Sequence, residues 1–147
     1  MSDTVTLVDY YYALVPDKPG EGSRILGALR DAGVNLLAFS GFPEGRRSQL
    51  DFIASDGAAL LAVAKRAKLK LSRPKKAFLI SGDDRVGAVA ETYARLAAAK
   101  INVTALDAVS AGAGRYGAIL WVKPRDVKKA AGVLGSSPHS EQRQHLL

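Results

Sequence analysis

The sequence predicts an α+β protein made of two βαββαβ units in tandem. Three observations carry that prediction. The chain resembles itself at a spacing of 67 residues, each repeat alternates strand-like with helix-like apolar patterns, and turn-forming residues stand where the pattern changes. In this register Asp17 falls on Asp84, Gly20 on Gly87 and Leu29 on Leu96. Val34-Asn35-Leu36 falls on Ile101-Asn102-Val103, Gly45 on Gly112 and Phe52 on Ile119. The expected organisation is a first unit over residues 1–72, a second over 73–135 and a flexible tail over 136–147, with Ser72-Arg73-Pro74-Lys75 as the joint.

In the first unit, Asp9 to Val15 is rich in aromatic and β-branched residues and ends at Pro16, which predicts a strand. A helix follows. Asp17 or Lys18 is expected to cap it, Pro19 suits its first turn, Ile25, Leu26, Leu29 and Ala32 recur at helical spacing, and Gly33 stops it. Val34 to Phe42 and Ser48 to Ser55 read as strands joined by the turn Pro43 to Arg47. Asp56 caps a second helix through Leu60, Leu61, Val63 and Ala64, and Leu69 to Leu71 is expected as a short last strand.

The second unit repeats the order. Its elements are a strand at Ala77 to Ser81, a helix from about Val86 to Lys100, strands at Ile101 to Val109 and Tyr116 to Val122, and a helix starting at Pro124. Such a unit sets both helices on one side of an antiparallel sheet, the ferredoxin-like arrangement. The strands are nonetheless apolar on both sides, Tyr10, Tyr12 and Leu14 alternating with Tyr11, Ala13 and Val15. The bare face is therefore expected to be covered, and a homodimer or larger homo-oligomer is predicted.

Composition narrows the chemistry. The 147 residues are 48% hydrophobic and 24% charged, enough apolar material for a core. No apolar run approaches the roughly 20 residues of a membrane helix, and no leader pattern opens the sequence, so a cytoplasmic protein without membrane association is expected. Cysteine is absent, and the two histidines, His139 and His145, sit in a polar tail, which leaves no thiol nucleophile and no metal-ligand cluster. Neither catalytic residues, metal nor cofactor are expected.

The net charge of +7 concentrates between Lys65 and Lys76, where seven basic residues stand and no acid occurs from Gly57 to Gly82. A solvated helix end and connector explain it, and an anion-binding patch is the alternative. Gly112-Ala113-Gly114-Arg115-Tyr116-Gly117 has the spacing of a dinucleotide loop but precedes a strand, so it reads as a hairpin turn. The stretch Arg115 to Trp121 half resembles an RNA-recognition strand. Ala118 stands where a second stacking aromatic is required, which argues against nucleic acid as a partner.

Asp17-Lys18-Pro19-Gly20 at a strand-to-helix junction, and Gly33-Val34-Asn35-Leu36 at the far end of that helix, resemble the ACT domain family of amino-acid-binding regulatory modules. The resemblance covers about Tyr10 to Leu134, twice over. It implies a non-catalytic regulatory or sensor protein that binds a small amino acid between ACT-like units and acts on a regulated enzyme. Asp17, Lys18, Pro19, Gly20, Asn35 and Leu36 would form one site, and Asp84, Arg85, Gly87 and Asn102 a second. Free amides at a helix start suit an α-carboxylate, while Asp17 and the Asn35 side chain of an adjoining unit offer oxygens to an α-ammonium group. The second unit departs from the pattern, with Arg85-Val86 in place of lysine and proline and Lys100 in place of the glycine. Arg85 there could meet a ligand carboxylate or pair with Asp83 or Asp84. The alternative function is a structural or nucleic-acid-associated module working through residues 65–76.

Overall fold

The computed structural model describes residues 3–139. The elements are β1 (Thr4–Pro16), α1 (Glu21–Asp31), β2 (Leu36–Glu44), β3 (Arg47–Ala54), α2 (Gly57–Arg66), β4 (Lys75–Asp83), α3 (Ala88–Ala98), β5 (Val103–Gly112), β6 (Arg115–Val122), α4 (Val127–Leu134) and β7 (Ser137–Pro138). A 3₁₀ turn, Pro124–Asp126, leads into α4. The expected α+β class and ferredoxin-like pattern hold.

Two compact units form, and their boundary differs from the expected one. Asp9–Lys75 makes one unit, whereas the N-terminal stretch up to Val8 joins the unit that begins at Lys76. Strand β1 therefore serves both. In the first unit the order is β2-β3-β1, all antiparallel, and Tyr11, Ala13, Val15, Leu50, Phe52 and Ala54 point to the side that α1 and α2 cover with Ile25, Leu29, Leu60 and Val63. The segment after α2 is not a strand. Ser72 nonetheless lies along β1, its N–H donating to the Tyr12 carbonyl (2.8 Å) and its Oγ accepting from the Tyr12 N–H (2.9 Å).

In the second unit β4, β6 and β5 are neighbours in that order, and Phe78, Ile80, Leu120 and Val122 meet Leu96, Ala130 and Leu134. Val5 of β1 belongs to this core, and β7 pairs in parallel with Thr6 and Leu7. Ser137 and Pro138 are thus part of the sheet rather than a tail, and the His139 N–H donates to the Leu7 carbonyl just beyond them. The remainder of the expected tail, 140–147, lies outside the described residues.

The repeat register slips by one residue. Phe52 pairs with Tyr11, and 67 residues on Phe78 pairs with Leu120, one position past Ile119. A β-bulge in β5 between Ser110 and Gly112 takes up the extra residue. Beyond it Phe52 corresponds to Leu120, Ser48 to Tyr116 and Gly45 to Ala113. Gly45 and Ala113 occupy the same turn position with φ of 62° and 55°.

One ending serves all four helices. Val34 N–H donates to Leu29 and Gly33 N–H to Arg30, and the same pair of bonds recurs at Leu69 and Lys68, Ile101 and Lys100, and Ser136 and Gly135. This is the Schellman motif, which needs a left-handed residue at its turn. Lys68 and Lys100 take that conformation at φ of 55° and 60° despite their Cβ atoms, at a cost of roughly 1–2 kcal/mol. Lys100→Gly should therefore stabilise the chain by about 1 kcal/mol in chemical denaturation, whereas the same substitution at exposed Lys128, inside α4, should destabilise it by a similar amount.

Candidate functional site

Helices α1 and α3 start alike and unlike α2. The α2 start is capped by Asp56, whose carboxylate accepts from the Ala59 N–H (3.2 Å). Neither Asp17 nor Lys18 caps α1. Its N-cap is Gly20, left-handed at φ 90°, with no side chain bonded to the first-turn amides, and Gly87 begins α3 in the same way at φ 84°. Pro19 precedes the helix rather than entering its first turn. Both helices thus present first-turn N–H groups and a positive dipole end without a side-chain acceptor.

In the first unit this start borders a crevice of about 510 Å³. It is lined by Val15, Pro16, Asp17, Lys18, Glu21 and Gly22 on the strand-to-helix side, and by Gly41, Phe42, Pro43, Ser48 and Leu50 from the β2–β3 hairpin. The volume lies within the usual range of small-molecule sites, roughly 300–1,000 Å³. Asp17 is fixed from the hairpin side, its Oδ1 accepting from Ser48 Oγ at 3.1 Å. Glu21 pairs with Arg24 at 2.6 Å.

The corresponding crevice in the second unit is about 270 Å³ and is lined by Asp84, Arg85, Gly87 and Val89, with Val109, Ser110 and Tyr116 from the hairpin. Asp84 accepts from Ser110 Oγ at 2.8 Å, the counterpart of the Asp17 bond made from the opposite hairpin strand. Arg85 pairs neither with Asp84 nor with the Asp83 carboxylate, which is taken by Arg115 at 3.0 Å. Its Nη1 donates to Asp3 Oδ1 (3.0 Å) and to the Asp83 carbonyl (3.0 Å), and its Nη2 to Glu91 Oε2 (2.6 Å). Tyr116 Oη donates to the other Asp3 oxygen at 2.6 Å.

Burial alone would raise the Asp3 carboxyl, but hydrogen bonds from Arg85 and Tyr116 and the charges of Arg85 and Arg115 outweigh it and hold the pKa below its ordinary value. The Tyr116 phenol is pushed up to about 12 by burial and by the Asp3 carboxylate. The Arg85 guanidinium is likewise raised, chiefly by its bonds to Asp3 and Glu91.

The two halves of each expected site do not meet within a unit. Asn35 and Leu36 follow the C-terminal end of α1, about 16 Å of helix away from Asp17 and Gly20. Asn35 is exposed, with its backbone carbonyl accepting from Ser55; Leu36 is half-buried against the core. Asn102 likewise lies past the far end of α3 and is exposed. The residues that sequence reasoning missed are Glu21, Phe42 and Ser48 in the first unit and Asp3, Gly82, Ser110 and Tyr116 in the second. Ser48 and Tyr116 share one structural position, which the bulge in β5 hides from a constant spacing.

Gly112 to Arg115 is the β5–β6 turn, and Tyr116 faces the helix-side core at 6% exposure, away from any base-stacking surface. The seven basic residues from Lys65 to Lys76 are exposed along the end of α2, the connector and the start of β4, with the Lys75 ammonium 5.5 Å from the Tyr12 ring centre. Among the described residues no cluster of potential metal ligands occurs, and no helix is long and apolar enough to cross a membrane.

No protein-family model matches the sequence, and no curated protein matches it. Solved structures do. A Bacteroides thetaiotaomicron protein superposes with a TM-score of 0.78 at 16% identity, covering 89% of this chain and 88% of its own. The regulatory subunit of aspartate kinase from Thermus thermophilus, in a ligand-free form, gives 0.62 at 15% identity, covering 92% and 95%. A structure of aspartokinase alpha and beta subunits gives 0.60 at 19% identity, covering 91% and 95%. At these identities the likeness is one of fold: the chain shares its fold with the regulatory subunit of aspartate kinase from Thermus thermophilus.

The Asp3 cluster makes a measurable pH dependence. Because the Asp3 carboxyl is held below its ordinary value, the stability it contributes is present above about pH 4 and is lost as pH falls through its folded-state pKa. Tyr116→Phe removes one hydrogen bond to that carboxylate and should cost roughly 1.5–3 kcal/mol at pH 7, in line with hydrogen bonds to charged groups. Denaturant melts of the variant and the wild type should converge as pH falls below 4.

Proposed function

We propose that the chain is a regulatory or sensor protein that binds a small amino acid in the crevice of the first unit, with no catalysis of its own. The observation that carries this reading is the conjunction at one opening of an uncapped helix start, the Asp17 carboxylate and an apolar wall made by Phe42, Pro43 and Leu50. The first-turn amides of α1 suit the ligand α-carboxylate, Asp17 suits the α-ammonium group, and the apolar wall suits a side chain. Binding would then bias the conformation offered to a regulated enzyme, as the fold shared with regulatory subunits of aspartate kinase suggests. Asn35, at the far end of α1, would join such a site only from another copy of the chain.

The edge of the sheet offers that copy a seat. Strand β2 ends the strand order on its side and carries Leu37 and Phe39, both about 40% exposed, so a second chain could extend the sheet there and bury them. A homodimer or larger assembly is the expected state in the cytoplasm. Light scattering at micromolar concentration should give at least twice the 15.5 kDa chain mass, and a monomeric mass would count against the pairing.

The reading is tested by thermal shift against the twenty amino acids. A ligand at 100 times its Kd stabilises the folded state by about 2.7 kcal/mol, enough for a shift of several degrees in a chain of this size. Asp17→Ala should abolish the shift while leaving the unliganded melting temperature nearly unchanged, since Asp17 is exposed and its carboxylate accepts an exposed hydrogen bond from Ser48. An undiminished shift in that variant sinks the pocket. Salt-dependent binding to nucleic acid in place of an amino-acid shift would favour the basic segment 65–76 instead.

A further inference from the structure

We propose that the strand-to-helix junction of the second unit is a carboxylate-binding seat, and that the Asp3 side chain of the same unit occupies it. The seat is built from what residue 82 lacks and what residues 85 and 116 supply. Gly82 faces Tyr116 across the β4–β6 ladder, and a Cβ placed on it would lie 1.9 Å from Asp3 Oδ1 and 2.8 Å from its Cγ. The carboxylate therefore fills the space of an absent side chain. Its oxygens take separate donors, Oδ1 from Arg85 and Oδ2 from Tyr116, the pairing any small carboxylate could accept.

The donors are held independently of Asp3. Arg85 is anchored by the Asp83 carbonyl and by Glu91, and the Tyr116 ring lies in the helix-side core. The Asp3 side chain is 11% exposed and that of Arg85 28%, so the ion pair is largely withdrawn from solvent. The first unit has no such seat, because Val15 and Ser48 stand where Gly82 and Tyr116 stand, and Lys18 takes the place of Arg85. Asp3 directly precedes β1, whose Thr6 and Leu7 are paired to β7, and this tether presents its carboxylate at a high effective concentration. Free carboxylates thus compete poorly in the wild type and enter once Asp3 is shortened. This inference concerns the second unit and does not depend on amino-acid binding by the first.

The experiment is chemical rescue of the full chain. Asp3→Ala is melted at pH 7 in sodium formate or sodium acetate and, at equal ionic strength, in sodium chloride. In chloride the variant should melt below the wild type, and formate or acetate should recover at least half of that loss with saturable dependence on concentration. Asp3→Asn, which keeps the seat filled, should show no such recovery, nor should Asp3→Ala combined with Arg85→Ala. If Asp3→Ala is unfolded in chloride, circular dichroism should show folding restored by formate or acetate. Equal behaviour in carboxylate and chloride, or an equal gain in the wild type or in Asp3→Asn, overturns the proposal.

Discussion

A left-handed glycine at the start of a helix is the constraint on which the candidate sites depend. Gly20 and Gly87 turn the chain from strand into helix without presenting a side chain to cap it, so the first amides of α1 and α3 face the crevices beside the hairpins. The contrast lies within the same chain. Asp56 caps α2, whose start lines neither crevice, by the ordinary side-chain bond. An L residue with a Cβ at position 20 or 87 would be strained at these φ angles although space is open around it. Conformation rather than crowding therefore calls for glycine.

From that shared start the two units diverge. Val15 and Ser48 leave the first junction with an apolar floor and a hydroxyl that steadies Asp17, and the opening above them remains. Gly82 and Tyr116 leave the second junction with a gap and a phenol, and Asp3 fills the gap with a negative charge that Arg85 answers. An ion pair so withdrawn from water gains from its hydrogen bonds what it loses in hydration only if both carboxylate oxygens are satisfied, as they are here. The N-terminal residues thus complete the unit that begins at Lys76 both by packing, through Val5, and by charge, through Asp3.

Much of this was legible in the sequence, because period-two alternation, helix stops and hairpin glycines are local signals. The α+β class, the duplicated unit, Gly33 as a helix stop, Asp56 as a cap and Gly112 to Arg115 as a turn all follow from residues near one another. What escaped is nonlocal. Alternation in Thr4 to Val8 cannot say which unit a strand joins, and the residues from Leu69 to Leu71 have strand-like composition but no ladder. The extra residue at the β5 bulge leaves a constant spacing of 67 intact on one side of the hairpin and wrong by one on the other. That slip concealed Tyr116 as the partner of Ser48. Helix α1 separates Asp17 from Asn35 within one unit, so the two would share a ligand only across adjoining units, the arrangement the family resemblance implies.

The first junction carries the larger crevice, suited to a small zwitterion, while beside the smaller crevice of its sister Asp3 fills the gap at Gly82 and engages Arg85. Amide chemical shifts of the full chain, followed by NMR during titration with the amino acid that most stabilises it, test this most directly. Saturable changes are expected to centre on Asp17 to Gly22 and on Phe42 to Ser48, with the amides of Gly87 to Ala90 unmoved. Changes centred on Gly87 to Ala90, or spread evenly without a focus at the α1 start, would contradict it.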